Sequence, residues 1–163
     1  MLIEVKVYPI IISLPGTVML LLMDKVSKSR MPIFIDPCNA RAVSRAIKGG
    51  VSERPQVHDL LKSFLVDDLN IVVTKVVITE LKNNDTYYAL IYYDKDGKEK
   101  TKDSRPSDAI VLSLLFNSPI FVEEELWLRS LTDRRTRRHL DQFELLERRL
   151  GIDNLMDTDK TDA

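Results

Sequence analysis

The chain has 163 residues, enough for one domain with its own hydrophobic core, and its 44% hydrophobic and 30% charged residues are the balance of a folded protein rather than a disordered or fibrous one. Its 24 Lys and Arg against 25 Asp and Glu exclude a strongly basic domain, so any nucleic-acid site has to come from uneven placement of charge. A single cysteine, Cys38, excludes an intrachain disulfide and a multi-cysteine metal site and makes a cytoplasmic location the default.

The first apolar stretch, Leu2 to Leu14, is interrupted by Glu4 and Lys6 and lacks a small-residue cleavage site after it, so it reads as a strand rather than a secretory signal, and no membrane is called for. Ile3, Val5 and Val7 alternate with the polar residues, Leu14-Pro15-Gly16 punctuates the run, and Thr17 to Met23 returns as the second arm of a hairpin. Met31 to Ile35 is a short third strand. Asp36-Pro37 then starts a helix, with Asp capping free amides and Pro placed where its missing N–H costs nothing; Ala40, Val43 and Ile47 keep helical spacing to about Lys48, and Gly49-Gly50 ends it. Cys38, beside that start, reads as a small buried hydrophobe rather than a reactive thiol.

After Arg54-Pro55, a short helix carries Leu60, Leu61, Phe64 and Leu65 on one apolar face. Ile71 to Thr79 and Thr86 to Tyr93 form a hairpin through Asn83-Asn84-Asp85, and Asp96-Gly97 turns into a polar edge strand over Glu99 to Lys102. Ala109 to Phe116 is apolar nearly all round, the mark of a helix buried in the core, and Pro119 to Val122 follows as a short buried strand. From Leu126 the composition shifts to Arg, Glu and Leu, with Leu140, Phe143, Leu146 and Leu150 as a narrow stripe that packs on the domain or on another subunit. The pattern predicts an α+β fold: a compact domain over 1–125 of mostly antiparallel strands with several helices, a C-terminal amphipathic helical extension over 126–151, and an acidic tail over 152–163 too poor in apolar residues to fold alone.

Chemistry concentrates in two places. His58 beside Asp59 offers an imidazole that titrates near neutral pH and suits general acid or base work, although the same pair also makes an ordinary helix start. Ser104-Arg105-Pro106-Ser107-Asp108 gathers hydroxyls, a guanidinium and a carboxylate at the amino end of the buried helix, where anions are attracted; helix capping explains the same residues equally well. Arg134-Arg135-Thr136-Arg137-Arg138-His139, extended by Arg129, is the best electrostatic footprint for phosphates, but Asp133, Asp141, Glu144 and Glu147 favour a solvated helix with internal ion pairs. Tyr87, Tyr88, Tyr92 and Tyr93 suit cross-strand packing better than base stacking. The five glycines form no phosphate-cradling loop, so no nucleotide or organic cofactor is expected, and two isolated histidines do not make a zinc motif.

Three ordered stretches, Met31-Pro32-Ile33-Phe34-Ile35, Arg54-Pro55 with His58-Asp59-Leu60-Leu61, and Ser104-Arg105-Pro106-Ser107-Asp108-Ala109-Ile110, resemble the bifunctional nuclease domain family over roughly residues 3–125. The resemblance implies a homo-oligomeric α+β domain that hydrolyses phosphodiester bonds of RNA, DNA or both. It implies His58, Asp59, Arg105 and Asp108 as catalytic residues, and Arg54, Ser104 and Ser107 as substrate contacts, to which the exposed run adds Arg134, Arg135 and Arg138. A Mg2+ or Mn2+ ion held by Asp108 and Asp59 would complete such a site. One segment departs from the pattern: where similar proteins often carry a glycine and then a glutamate, this chain has Asp36 and Asn39, and the loss of a carboxylate ligand would weaken a metal-dependent reaction. The alternative is a binding or regulatory module in which the same residues cap helices and line an oligomer interface, with the tail helix engaging a protein partner or nucleic acid.

Overall fold

Seven strands, some alternating and β-branched and one apolar throughout, build one sheet whose two apolar faces are closed by different helices. The structure, a computed structural model, describes residues 1–15, 17–49, 53–82 and 86–151. β1 (Leu2–Leu14) and β2 (Thr17–Asp24) form the first hairpin, with Leu14 opposite Thr17, and β3 (Arg30–Ile35) pairs back on β2. α1 (Pro37–Ile47) and α2 (Val57–Ser63) follow, and α2 runs on into a π-helical turn over Phe64–Asp68. β4 (Ile71–Lys82), β5 (Thr86–Lys95) and β6 (Lys98–Ser104) make an antiparallel meander. After α3 (Pro106–Phe116), β7 (Ile120–Glu123) slots between β1 and β4, antiparallel to the first and parallel to the second. The order is β3-β2-β1-β7-β4-β5-β6, an α+β arrangement as the sequence predicts. The chain closes with α4 (Glu124–Thr132) and α5 (Arg134–Leu150).

Local chemistry fixes several joints. Asp36 accepts the amide of Asn39 at 2.9 Å and Pro37 opens α1, while Gly49 takes a positive φ of 61° just past its end. Asp96 and Gly97 both have positive φ, as a tight hairpin turn between right-twisted strands requires. The turns expected at Gly16 and Asn83-Asn84-Asp85, the second glycine of Gly49-Gly50, and the acidic tail from Ile152 lie outside the described residues.

β2 is buried on both faces, which explains why its sequence is continuously apolar rather than alternating. Val18, Leu20 and Leu22 join Met31, Ile33 and Ile35 of β3 in the main core, beneath Val43 of α1, Ile110 of α3 and Trp127 of α4. Met19, Leu21 and Met23 point the other way and meet Tyr8 and Phe143, the ring of α5 that stands edge-on to Tyr8 at 5.5 Å. Full burial of one such side chain stabilises the fold by about 1.5–3 kcal/mol.

Four expectations need correction. The composition shift at Leu126 does not begin one helix: Asp133 breaks the run and caps α5 through the amide of Thr136 at 2.8 Å, while Leu126 and Trp127 belong to the main core. In the apolar stripe of α5, Phe143 and Leu140 pack inward but Leu146 and Leu150 are exposed. Glu147 is not a surface partner of helix arginines; it is 4% exposed, accepts from Tyr8 Oη and pairs with Arg30 Nη1 at 2.6 Å. Cys38 is exposed, because the second position of α1 faces solvent.

Arg30 lies 4.8 Å from the Tyr8 ring centre and 5.3 Å from that of Phe143, so one carboxylate and one guanidinium clamp α5 to the sheet in a site largely closed to water. Removing one partner of a buried pair strands the other charge. Glu147→Ala is therefore expected to lower unfolding free energy by about 2–4 kcal/mol, less than a fully buried pair would lose because Arg30 retains some solvent access; a shift of the urea midpoint at unchanged slope checks it.

Candidate functional site

The two outermost strands, β3 and β6, end at the same place. Asp36 follows β3 and opens α1; Arg105 follows β6 and precedes Pro106, the first residue of α3. Proline requires an extended residue before it, and Arg105 is extended at φ −68°, ψ 144°. The sheet curls enough that Arg105 Nη1 comes within 4.0 Å of Asp36 Oδ2. Asn39 joins the two helix starts: its side-chain amide donates to Asp36 Oδ2 at 2.9 Å and to Ser107 Oγ at 2.8 Å. Both helices thus present their positive ends to one spot, and no side chain caps α3.

Asp108, in the first turn of α3, connects this spot to α2. Its Oδ2 accepts from Arg105 Nε at 2.7 Å and its Oδ1 lies 3.1 Å from His58 Nε2. Burial pushes the Asp108 carboxyl up, but hydrogen bonds and charge from Arg105 and His58 outweigh burial and hold it below its ordinary 3.8. Asp108 in turn raises the Arg105 guanidinium further through the same hydrogen bond. The His58 and Arg105 motifs, fifty positions apart from His58 to Asp108, therefore meet on one carboxylate.

Asp59 faces elsewhere. Its Oδ2 takes Arg45 Nη1 at 2.6 Å and the amide of Gln56 at 2.9 Å, so it fastens α2 to α1 and closes the start of its own helix. The Arg45 hydrogen bond, working against burial, holds Asp59 below its ordinary 3.8. Ser104 donates to the carbonyl of Arg105 at 3.0 Å, Ser107 is buried under Asn39, and Arg54 is exposed in the loop before α2. Arg134, Arg135 and Arg138 are exposed on α5.

A cavity of about 260 Å³ opens beside the junction, lined by Asp36, Arg105 and Ser107 on one side and by Phe34, Thr86 and Tyr87 on the other. Arg105 is 68% exposed and supplies the cation of this cavity, whereas His58 reaches it only through Asp108. Sequence reasoning missed Arg45 and Gln56 as supports, and treated Asn39 only as a lost carboxylate. No local pattern marks Arg45, which acts on another helix, or the bond from Asn39 to Ser107, whereas Gln56 and Asp59, three residues apart, form a capping box that is a local signal. Asn39 donates to two acceptors, which a carboxylate cannot do, and Asp36 keeps a carboxylate at the junction.

The donors present do not form a ready-made Mg2+ or Mn2+ cage. Both oxygens of Asp108 are engaged, Asp59 is turned to Arg45, and among the described residues no group of three or more His, Cys, Asp or Glu side chains gathers where it could hold a metal ion. The residues instead make an anion-attracting pocket with an oriented imidazole behind it.

Residues 20–133 match the bifunctional nuclease domain, and the chain belongs to that family. The matched segment includes α4, past the boundary expected at residue 125, and stops before α5. Two uncharacterised proteins of Mycobacterium tuberculosis, Rv1829 of strain H37Rv and MT1877 of strain CDC 1551, are each 32% identical over 122 residues, covering 74% of this chain and 71% of the relative.

Because the folded pKa values of Asp108 and Asp59 are lowered, their ion pairs contribute fully above the ordinary 3.8 and are lost as pH falls through the folded values. Asp108→Asn removes one such group. Its urea midpoint is expected to fall less steeply than that of the unsubstituted protein between about pH 5 and about pH 3, as denaturation series at both pH values would show.

Proposed function

We propose that this protein is a nuclease that hydrolyses phosphodiester bonds of RNA, DNA or both at the junction of α1, α2 and α3. The observation that carries the reading is Asp108 bridging His58 and Arg105 at the positive end of a buried helix, beside an open cavity. Membership of the bifunctional nuclease domain family supports it.

The chemistry follows from the hydrogen bonds. An ionised Asp108 accepts a proton-bearing Nε2, which leaves the lone pair of a neutral imidazole on Nδ1. Nδ1 faces away from Asp108 and so acts outside the cavity: where the strand leaves it and passes over the Asp108 carboxylate toward α2, Nδ1 takes a proton from an attacking water as that oxygen bonds to phosphorus. The ester oxygen that leaves, on the opposite side of phosphorus, takes a proton from solvent, and the imidazolium returns its own proton to solvent afterwards. Arg105, held at its Nε by Asp108, turns its remaining N–H groups to the phosphoryl oxygens where negative charge grows, with the α3 amino end adding its dipole. Ser107 and Asn39 hold the helix start in place, and Asp59 positions α2 and so the imidazole. The single cysteine suits work in the cytoplasm, and among the described residues no helix is long and apolar enough to cross a membrane.

The deciding assay is cleavage of fluorescent single-stranded RNA and DNA by highly purified protein in Mg2+, Mn2+ or EDTA. His58→Ala, Asp108→Asn and Arg105→Ala are each expected to lower the rate by about 100-fold or more. Equal cleavage by all four preparations would trace the activity to a contaminant, and loss in EDTA alone would put a metal into the reaction.

A second reading, a non-catalytic oligomeric binding module, is favoured by one observation: α2 buries no residue, and Val57, Leu60 and the 53%-exposed Phe64 form an apolar surface beside the junction. The same surface suits a homo-oligomer of an active nuclease. Light scattering after gel filtration is expected to show an assembly that Leu60→Glu with Phe64→Glu dissociates; a monomer in both cases removes the surface from this role.

A further inference from the structure

We infer that α5, which lies beyond the matched domain, supplies a second binding segment: a groove that receives the continuation of a single-stranded nucleic acid whose one phosphate sits at Arg105. The inference rests on the nuclease reading for the position of the cleaved bond, but not for the groove itself.

A cavity of about 670 Å³ lies between α4, α5 and the sheet. Phe34 and Tyr87 line this cavity and also the smaller one that holds Arg105, so the two are joined along a shared aromatic wall. Arg129 of α4 and Arg135 and His139 of α5 also line the larger cavity. Arg135 and His139 are four residues apart and so share a helix face. His139 stands edge-on to Phe34 with ring centres 5.1 Å apart, and Phe34 is 44% exposed although it belongs to a strand.

Cations for phosphates beside an exposed ring for a base are the chemistry of a single-strand path, and here Phe34 is the exposed ring while Tyr87 is half-buried against the core. A duplex would hide the base face that ring requires. Asp133 is the acidic group that lines the groove; it caps α5 through the amide of Thr136 at 2.8 Å and its charge also acts on Arg135, so the lining sets two guanidiniums, Arg129 and Arg135, against one carboxylate. Beyond Arg129 the surface turns acidic, with Glu80, Glu123 and Glu125 around a neighbouring hollow, and this repels phosphates and ends the path. Arg134 and Arg138 do not line the groove, so of the three α5 arginines expected to touch substrate, Arg135 is the one the fold directs into it.

The test is fluorescence anisotropy with labelled 2′-O-methyl phosphorothioate strands, a dinucleotide and a decanucleotide, which resist cleavage and report binding alone. The decanucleotide is expected to bind about 10-fold or more tightly than the dinucleotide. Arg129→Ala and Arg135→Ala should each weaken decanucleotide binding and reduce the salt slope by about 1, and Phe34→Ala should weaken it by about 10-fold. Lys100→Ala, on the edge strand β6, calibrates the loss of one remote charge. Equal affinity for both lengths, or groove variants that match Lys100→Ala, would overturn the inference. Length-dependent binding without cleavage in the separate assay would uphold the groove and defeat the nuclease reading; cleavage with length-independent binding would do the reverse.

Discussion

Two helices that begin at the same point, at the ends of the two outermost strands, are the constraint on which the site depends. Their positive ends would repel each other if nothing intervened. Asp36 and Asp108 supply the negative charge, Asn39 ties one helix start to the other, and Arg105 balances the carboxylates from the open side. Each group is satisfied by the others, yet the most exposed of them, Arg105, is the cation a phosphate would meet. A structural junction and an anion site are thus the same set of atoms.

This arrangement makes α2 unusual. It contributes no buried residue, and it is attached through polar contacts: Asp59 to Arg45, His58 to Asp108, and Lys62 to the carbonyl of Leu115 at 2.7 Å. A helix fixed by charge pairs rather than by a packed face places its imidazole by direction-dependent bonds, while its apolar side stays available outside. The π-helical turn that follows carries the chain away to β4.

On the opposite side, α5 makes the sheet a closed structure. Without it, Met19, Leu21, Met23 and Tyr8 would face water. The same helix that seals this second face also carries Arg135 and His139 to the groove above Phe34. Stability and the extended charge pattern are therefore coupled: the helix cannot be removed to test one without disturbing the other.

Spacing within a few residues is enough for the strands, the tight turn at Asp96-Gly97, the capped start of α1 and the buried character of α3: Ile3-Val5-Val7 alternates, Asp36-Pro37 caps, and Ala109 to Phe116 is apolar on nearly every side. The sequence also marked His58 and Arg105-Asp108 as the chemically loaded segments. Folding alone puts β7 between β1 and β4, brings His58 and Arg105 to one Asp108, turns Asp59 to Arg45 and buries Glu147 against Arg30. The reason is physical: an amphipathic pattern fixes which side of a segment avoids water, but the partner of a charge is chosen by which segment the fold brings within about 3 Å, and residues fourteen to 117 positions apart carry no local trace of that choice.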